Sequence, residues 1–201
     1  MKPRAQALSF VRLDAETVVP TVYGDLRFCA YTDARQGAEH LALIADPIGE
    51  VPLVRVHSEC LTGEALGSLK CECGAQLDAS LRAISNEGGI LIYMRGHEGR
   101  GIGIVNKLRA YRLQEDGLDT VDANVALGLP VDDRDYTAAA AILADIGVTR
   151  VRLLSNNPAK IAQLIEHGID IAERVPLVIS QGEASDRYLA TKRDRMGHLI
   201  S

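Results

Sequence analysis

Three cysteines within fourteen residues constrain this chain more than any other feature: Cys60, Cys71 and Cys73, in HSECLTGEALGSLKCECG. Ten residues separate Cys60 from Cys71, and one separates Cys71 from Cys73. Thiolates so spaced can hold a soft or borderline metal, with zinc the first candidate. The fold must then bring a distant thiol and a turn-like CxC chelate onto one point. Three ligands leave a tetrahedral ion one open position, as in a catalytic site; a fourth ligand, from Cys29, His57 or His97, would close it into a structural one. Three thiolates make zinc a poorer Lewis acid than three imidazoles do, yet the ion still lowers the pKa of a water beside it.

The 201 residues are 47% hydrophobic and 24% charged, so a core can form without disulfides. One domain over 1–201 is expected rather than two, with a β-rich part over about 1–60 and an α/β part over about 61–201. No apolar run reaches the roughly 18 residues of a membrane span. The opening MKPRAQALSFVRLDAETV lacks a signal-like apolar stretch, so the cytoplasm is expected, where thiols stay reduced. A net charge of −5 argues against nucleic acid as partner, though not against an anionic small molecule in a locally basic pocket.

LSFVRL, DLRFCAY, LALIAD and VPLVRVH read as strands, with turns at Val19-Pro20-Thr21 and at Asp46-Pro47-Ile48-Gly49. Leu77, Leu81 and Ile84 mark a helix over 75–85, followed by a strand over 90–93. Helices are predicted from 99–103 through about 114, over 120–127, 137–146 and 158–167, and over 186–197. Strands are predicted over 151–154 and 169–175. Strands alternating with helices indicate a layered α/β fold with a mixed sheet.

Four further segments carry possible chemistry. The glycine-rich RGHEGRGIG between a strand and a helix can cradle phosphate through backbone N–H groups, or serve as a plain turn. Arg55, His57 and Glu59 share one face of an alternating strand, either a ligand rim or a solvated edge. DDRDY over 132–136 pairs carboxylates with an arginine, or caps the next helix through Asp135. SNNPAK over 155–160 opens a helix with Lys160 in its first turn, where a bound anion would relieve the clash with the helix dipole.

Together RVHSECLTGEALGSLKCECG, HEGRGIGIVNKLRAYRLQ, TVDAN, DDRDY, LLSNNPAK and RMGHLI resemble the signatures of the GTP cyclohydrolase II family, in order and over about residues 20 to 200. The resemblance implies a layered mixed-sheet fold and zinc on Cys60, Cys71 and Cys73. It implies GTP contacts from Arg55, Val56, His57, Ser58, Glu59, Gln76, Glu98, Gly99, Arg100, Thr120, Ser155 and Lys160. It implies Asp132 as proton acceptor, Arg134 as the group attacking the α-phosphate, and Tyr111 as an aid to ring chemistry. Magnesium on the polyphosphate and a homodimer are also implied. The implied reaction opens the guanine imidazole ring and releases formate and pyrophosphate, leaving 2,5-diamino-6-(5-phospho-ribosylamino)pyrimidin-4-one, the first intermediate of riboflavin biosynthesis. Some relatives stop at the formamide stage; Tyr111 favours the complete reaction. A zinc-stabilised nucleotide-binding module without catalysis is the competing reading.

Overall fold

The computed structural model describes residues 10–177, together with Ile179, Arg195 and Gly197. One mixed sheet runs through both the β-rich and the α/β parts, in the order β1-β2-β3-β5-β4-β6-β7. Its antiparallel half is β1 (Val11–Thr21), β2 (Gly24–Asp33), β3 (Ala38–Ala45) and β5 (Gly89–Met94). Its parallel half joins β5 to β4 (Leu53–Ser58), β6 (Arg150–Leu154) and β7 (Asp170–Val175). The helices are α1 (Leu61–Glu64), α2 (Cys73–Glu87), α3 (Gly103–Glu115), α4 (Thr120–Ala126), α5 (Thr137–Ile146) and α6 (Pro158–Glu166), with a 3₁₀ turn over Glu98–Gly101. None among the described residues is long and apolar enough to cross a membrane.

Two departures from expectation have physical causes. Val19, Pro20 and Thr21 lie inside β1, and the chain reverses at Val22-Tyr23. Pro20 is tolerated there because β1 is an edge strand, so the missing N–H removes no bond from a central ladder. The short helix α1, between the first cysteine and the other two, carries no periodic signal of its own. The helix expected over 186–197 lies outside the described residues apart from Arg195 and Gly197.

The alternation of β4 positions the site. Val54 and Val56 enter one core with Ile90, Ile92, Leu153 and the alanine-rich α5. Leu53 enters the other, beneath Leu81 and Ile84 of α2. Arg55 and His57 point the same way as Leu53 but lie beyond the apolar layer, so the pleat delivers them to a cleft on the α2 side. Each core side chain of this kind contributes about 1.5–3 kcal/mol by leaving water. That apolar burial holds two polar side chains in a buried strand.

Candidate active site

The cleft encloses about 1170 Å³ including its open mouth. It gathers residues from β4, α2, the 3₁₀ turn, α3, α4 and the N-terminal end of α6. Cys60, Cys71 and Cys73 line it, and their sulfurs lie within 4.8 Å of one another. Cys60 Sγ and Cys71 Sγ are 3.6 Å apart. Two sulfurs on one tetrahedral zinc, each at about 2.3 Å, stand about 3.8 Å apart, so the donor set fits the ion. Among the described residues the metal-capable group contains these three ligands. Cys29 is instead packed in the core behind the sheet. His57 Nε2 bonds Glu64 Oε1 at 2.8 Å, and His97 Nδ1 meets Ser58 Oγ at 3.2 Å.

Electrostatics mark the thiols as a shared-proton set. Hydrogen bonds from the Cys71 and Cys73 thiols, with the nearby Lys107 charge, hold Cys60 well below its ordinary range. Hydrogen bonding to Cys60 raises Cys71 and Cys73 in turn. A divalent ion held there would displace the protons the sulfurs share and take all three as thiolates. Lys107, 7% exposed, donates to Cys60 Sγ at 3.1 Å, Thr62 Oγ1 at 2.7 Å and Glu98 Oε1 at 2.5 Å. Burial alone would lower its ammonium; the Glu98 carboxylate and the Cys60 sulfur outweigh that and raise it.

The floor is a buried polar chain. Arg55 donates to Leu154 O and to Gln76 Oε1, both at 3.0 Å. Gln76 Nε2 donates to Glu72 Oε1 at 3.2 Å. Desolvation lowers the Arg55 guanidinium to about 10, which leaves it charged at neutral pH. Among the described residues its Nε has no protein partner. Burial likewise drops His57 to about 4, so it is neutral and donates from Nε2 to Glu64. Glu64 Oε2 accepts from Tyr93 OH at 2.5 Å, and the buried His57 Nδ1 has no partner among the described residues.

The cationic wall comes from α6 and the loop before α5. Asn157 caps α6, accepting from Ala159 N and Lys160 N, with Pro158 in the first turn. Lys160 folds back, 4% exposed, and donates to Val56 O at 2.5 Å. Ser155, 1% exposed, lines the cleft beside it. Asp135 Oδ1 accepts from the N–H of Thr137, the first residue of α5, at 2.8 Å, while Tyr136 holds the N-cap position. Asp132 and Arg134 form a two-pronged pair, with Arg134 Nε to Oδ1 at 2.7 Å and Nη2 to Oδ2 at 2.5 Å. Burial works to raise Asp132, but Arg134 outweighs it and holds the carboxyl below its ordinary range. Gln163 of α6 clamps this loop by accepting from Tyr136 N and donating to Arg134 O.

The glycine-rich turn docks on that same loop. Arg100 has φ of 66°, the left-handed region, and is 7% exposed. Non-glycine residues there carry strain on the order of 1 kcal/mol and concentrate at functional sites. Arg100 O accepts from Asp133 N at 3.0 Å. Gly101 has φ of 92°, and a Cβ there would stand 3.1 Å from Asp133 Cβ and 3.2 Å from its backbone, so glycine suits both the turn and the close approach of the two segments.

Of the residues singled out in the sequence, Arg55, His57, Ser58, Glu59, Gln76, Gly99, Arg100, Thr120, Ser155, Lys160, Tyr111, Arg134 and the three cysteines line the cleft. Val56 does not: its side chain is core and its carbonyl anchors Lys160. Glu98 does not: one oxygen accepts from Leu61 N and the other from Lys107. Asp132 stands behind Arg134, reaching the cleft through that pair. Glu64, Glu72 and Thr62 were not singled out by motif; Lys107, read from the sequence as a cation following the glycine-rich loop that could serve a phosphate, instead meets Glu98, Thr62 and Cys60. For Glu64 and Lys107 the available signal is position, one turn beyond Cys60 and one turn into the helix after the glycine loop.

The GTP cyclohydrolase II family model matches residues 12–176. The chain is 56% identical over 193 residues to a GTP cyclohydrolase-2 of Streptomyces coelicolor, covering 93% of this chain and 87% of that protein. It is 53% identical over 193 residues to a riboflavin biosynthesis protein RibBA of Salinispora tropica, covering 94% of this chain and 48% of that protein. Against a RibBA of Mycobacterium tuberculosis the identity is 53% over 191 residues, covering 92% of this chain and 45% of that protein. The chain thus spans about half the length of these RibBA relatives. The chain belongs to the GTP cyclohydrolase II family.

Proposed function

We propose that the protein hydrolyses GTP at two places, releasing formate from the guanine ring and pyrophosphate from the triphosphate, and so makes the diaminopyrimidine that enters riboflavin biosynthesis. One observation carries this reading: three thiols shaped for zinc open into the same cleft as Arg55, Arg100, Arg134 and Lys160. Zinc, when held by Cys60, Cys71 and Cys73, supplies the Lewis acidity that activates water for ring opening. Tyr111 faces the cleft from α3 and assists there. Gln76 holds Arg55 in place, and with Glu59 offers paired donors and acceptors for the guanine edge.

At the phosphate end, His57, Ser58, Gly99, Arg100, Thr120, Ser155 and Lys160 contact the nucleotide, and Glu98 and Val56 act by holding Lys107 and Lys160. Magnesium, when bound with the polyphosphate, would share its charge with these residues. Arg134 attacks the α-phosphorus through a guanidinium nitrogen. That N–P bond forms as the bond to pyrophosphate breaks, and the proton passes to Asp132, already hydrogen-bonded to Arg134 Nε and Nη2. Water then cleaves the N–P bond.

A homodimer completes the reading. Leu61, Leu66, Leu69, Val105 and Leu108 on α1, the loop after it and α3 are each 46–69% exposed, an apolar area suited to a second copy. The cytoplasm suits four free cysteines. The test is a product assay with GTP, magnesium and zinc. Formate, pyrophosphate and the diaminopyrimidine are expected together. A product retaining the formyl group would mark a relative that stops early, and GTP binding with neither release would mark a non-catalytic module.

A further inference from the structure

A lysine ammonium has three N–H donors, and Lys107 places all three on protein atoms: Glu98 Oε1, Thr62 Oγ1 and Cys60 Sγ. It is carried on the buried side of α3 with Ala110. The other oxygen of Glu98 accepts from Leu61 N at 2.6 Å, so one buried ion pair grips both the Cys60 sulfur and the backbone that follows it. The arrangement is oriented, since a salt bridge to Glu98 alone would not require a donor aimed at sulfur.

Three thiolates and a divalent ion sum to one net negative charge. Sulfur donates strongly, which leaves zinc a weak Lewis acid for attack on a guanine ring. Hydrogen bonds and charges outside the ligands tune a metal by drawing electron density from them. We propose that Lys107 is a positioning residue that does this to Cys60: its N–H···S bond makes that thiolate a poorer donor and so restores acidity to the ion. The inference rests on the three-cysteine metal reading above. It assigns a task to a residue that need touch neither GTP nor metal, and it explains how a Cys₃ site can serve hydrolysis.

The test is absorption of the full chain loaded with cobalt(II). A hydrogen bond stabilises the sulfur lone pair and raises the sulfur-to-cobalt charge-transfer energy. In Lys107→Met the band should move to lower energy, and in Lys107→Arg, which can still donate, it should stay near the wild-type position. The double variant E98Q/K107M removes both buried charges and guards against misfolding from an unpaired carboxylate. It should shift the band as Lys107→Met does. Formate release should fall about 10- to 100-fold in both methionine variants. A wild-type protein that takes cobalt without any thiolate band overturns the three-cysteine reading itself. A normal wild-type band that is unmoved in both methionine variants, or equally moved in Lys107→Arg, overturns the tuning role alone. Methionine variants that no longer take cobalt assign Lys107 to assembling the site, which also overturns tuning.

Discussion

Gly63 lies against Cys71: a methyl group on residue 63 would stand 2.6 Å from the Cys71 sulfur and 3.4 Å from that of Cys60. Behind it, a methyl on Gly74 would meet Gly63 O at 2.3 Å. Two glycines packed back to back therefore set how closely α1 and the start of α2 approach, and the thiol cluster sits at that seam.

Gly63→Ala should cost the metal rather than the fold. Residue 63 is helical, where alanine is favoured over glycine by up to about 1 kcal/mol, so backbone strain is not the obstacle. Overpacking against two sulfurs costs about 1–3 kcal/mol, or roughly 5- to 150-fold in zinc affinity. Zinc content by mass spectrometry and the circular dichroism spectrum check this, with Gly49→Ala, which meets nothing within 4 Å, as control. Full zinc occupancy in Gly63→Ala would show that the seam is not required.

Asp132→Asn should leave GTP affinity within a few-fold and lower pyrophosphate release by about 10²- to 10⁴-fold, because the amide keeps a bond to Arg134 but takes no proton. Rapid-quench measurement of pyrophosphate beside equilibrium GTP binding separates the two effects. A wild-type turnover number removes Asp132 from proton transfer.

Acid should destabilise the metal-free protein through His57 and His97. Burial lowers His57 to about 4 and His97 to about 3, from an ordinary value near 6.5. Between the ordinary and folded values the unfolded chain binds a proton that the folded chain refuses. Stability is therefore fully present above about pH 6.5 and declines on acidification toward the folded values, by up to about 1.4 kcal/mol per pH unit for each histidine. Urea midpoints measured in steps from neutral to mildly acidic pH should show that slope, and His97→Phe should lessen it. Identical slopes in the two proteins would mean His97 titrates normally.

Much of the site was legible in the chain because its chemistry is concentrated in short segments. CxC, HEGRG, DDRDY and SNNPAK each bring their own backbone geometry, so Cys71, Arg100, Arg134 and Lys160 could be placed before any packing was known. The alternation of β4 was legible for the same reason, with Arg55 and His57 on one face. What escaped depends on contacts between segments far apart. Lys107 is 47 residues from Cys60, and nothing local says that its ammonium reaches a sulfur. Glu98 reads as a ligand contact within its motif, yet its two oxygens hold Leu61 and Lys107. Pro20 reads as a turn because its tolerance in β1 depends on that strand being an edge, a property of the whole sheet.

The two hydrolyses should respond differently to loss of metal. The thiols stand at α1 and the start of α2, whereas Arg134, Asp132, Ser155 and Lys160 belong to the loop before α5 and the start of α6. Lys160 is held by Val56 O, and Arg134 by Asp132 and Gln163; none of these bonds involves a cysteine. Stripping zinc with a chelator selective for it over magnesium, or substituting Cys71→Ser, should therefore abolish formate release while pyrophosphate release persists within about tenfold, since the charge clamp on the phosphates is intact. Both products are read from one quenched reaction, and zinc added back to the stripped protein should restore formate. If pyrophosphate falls in step with formate, the thiol cluster also governs the phosphate end, and the division of labour between the two groups of residues is wrong.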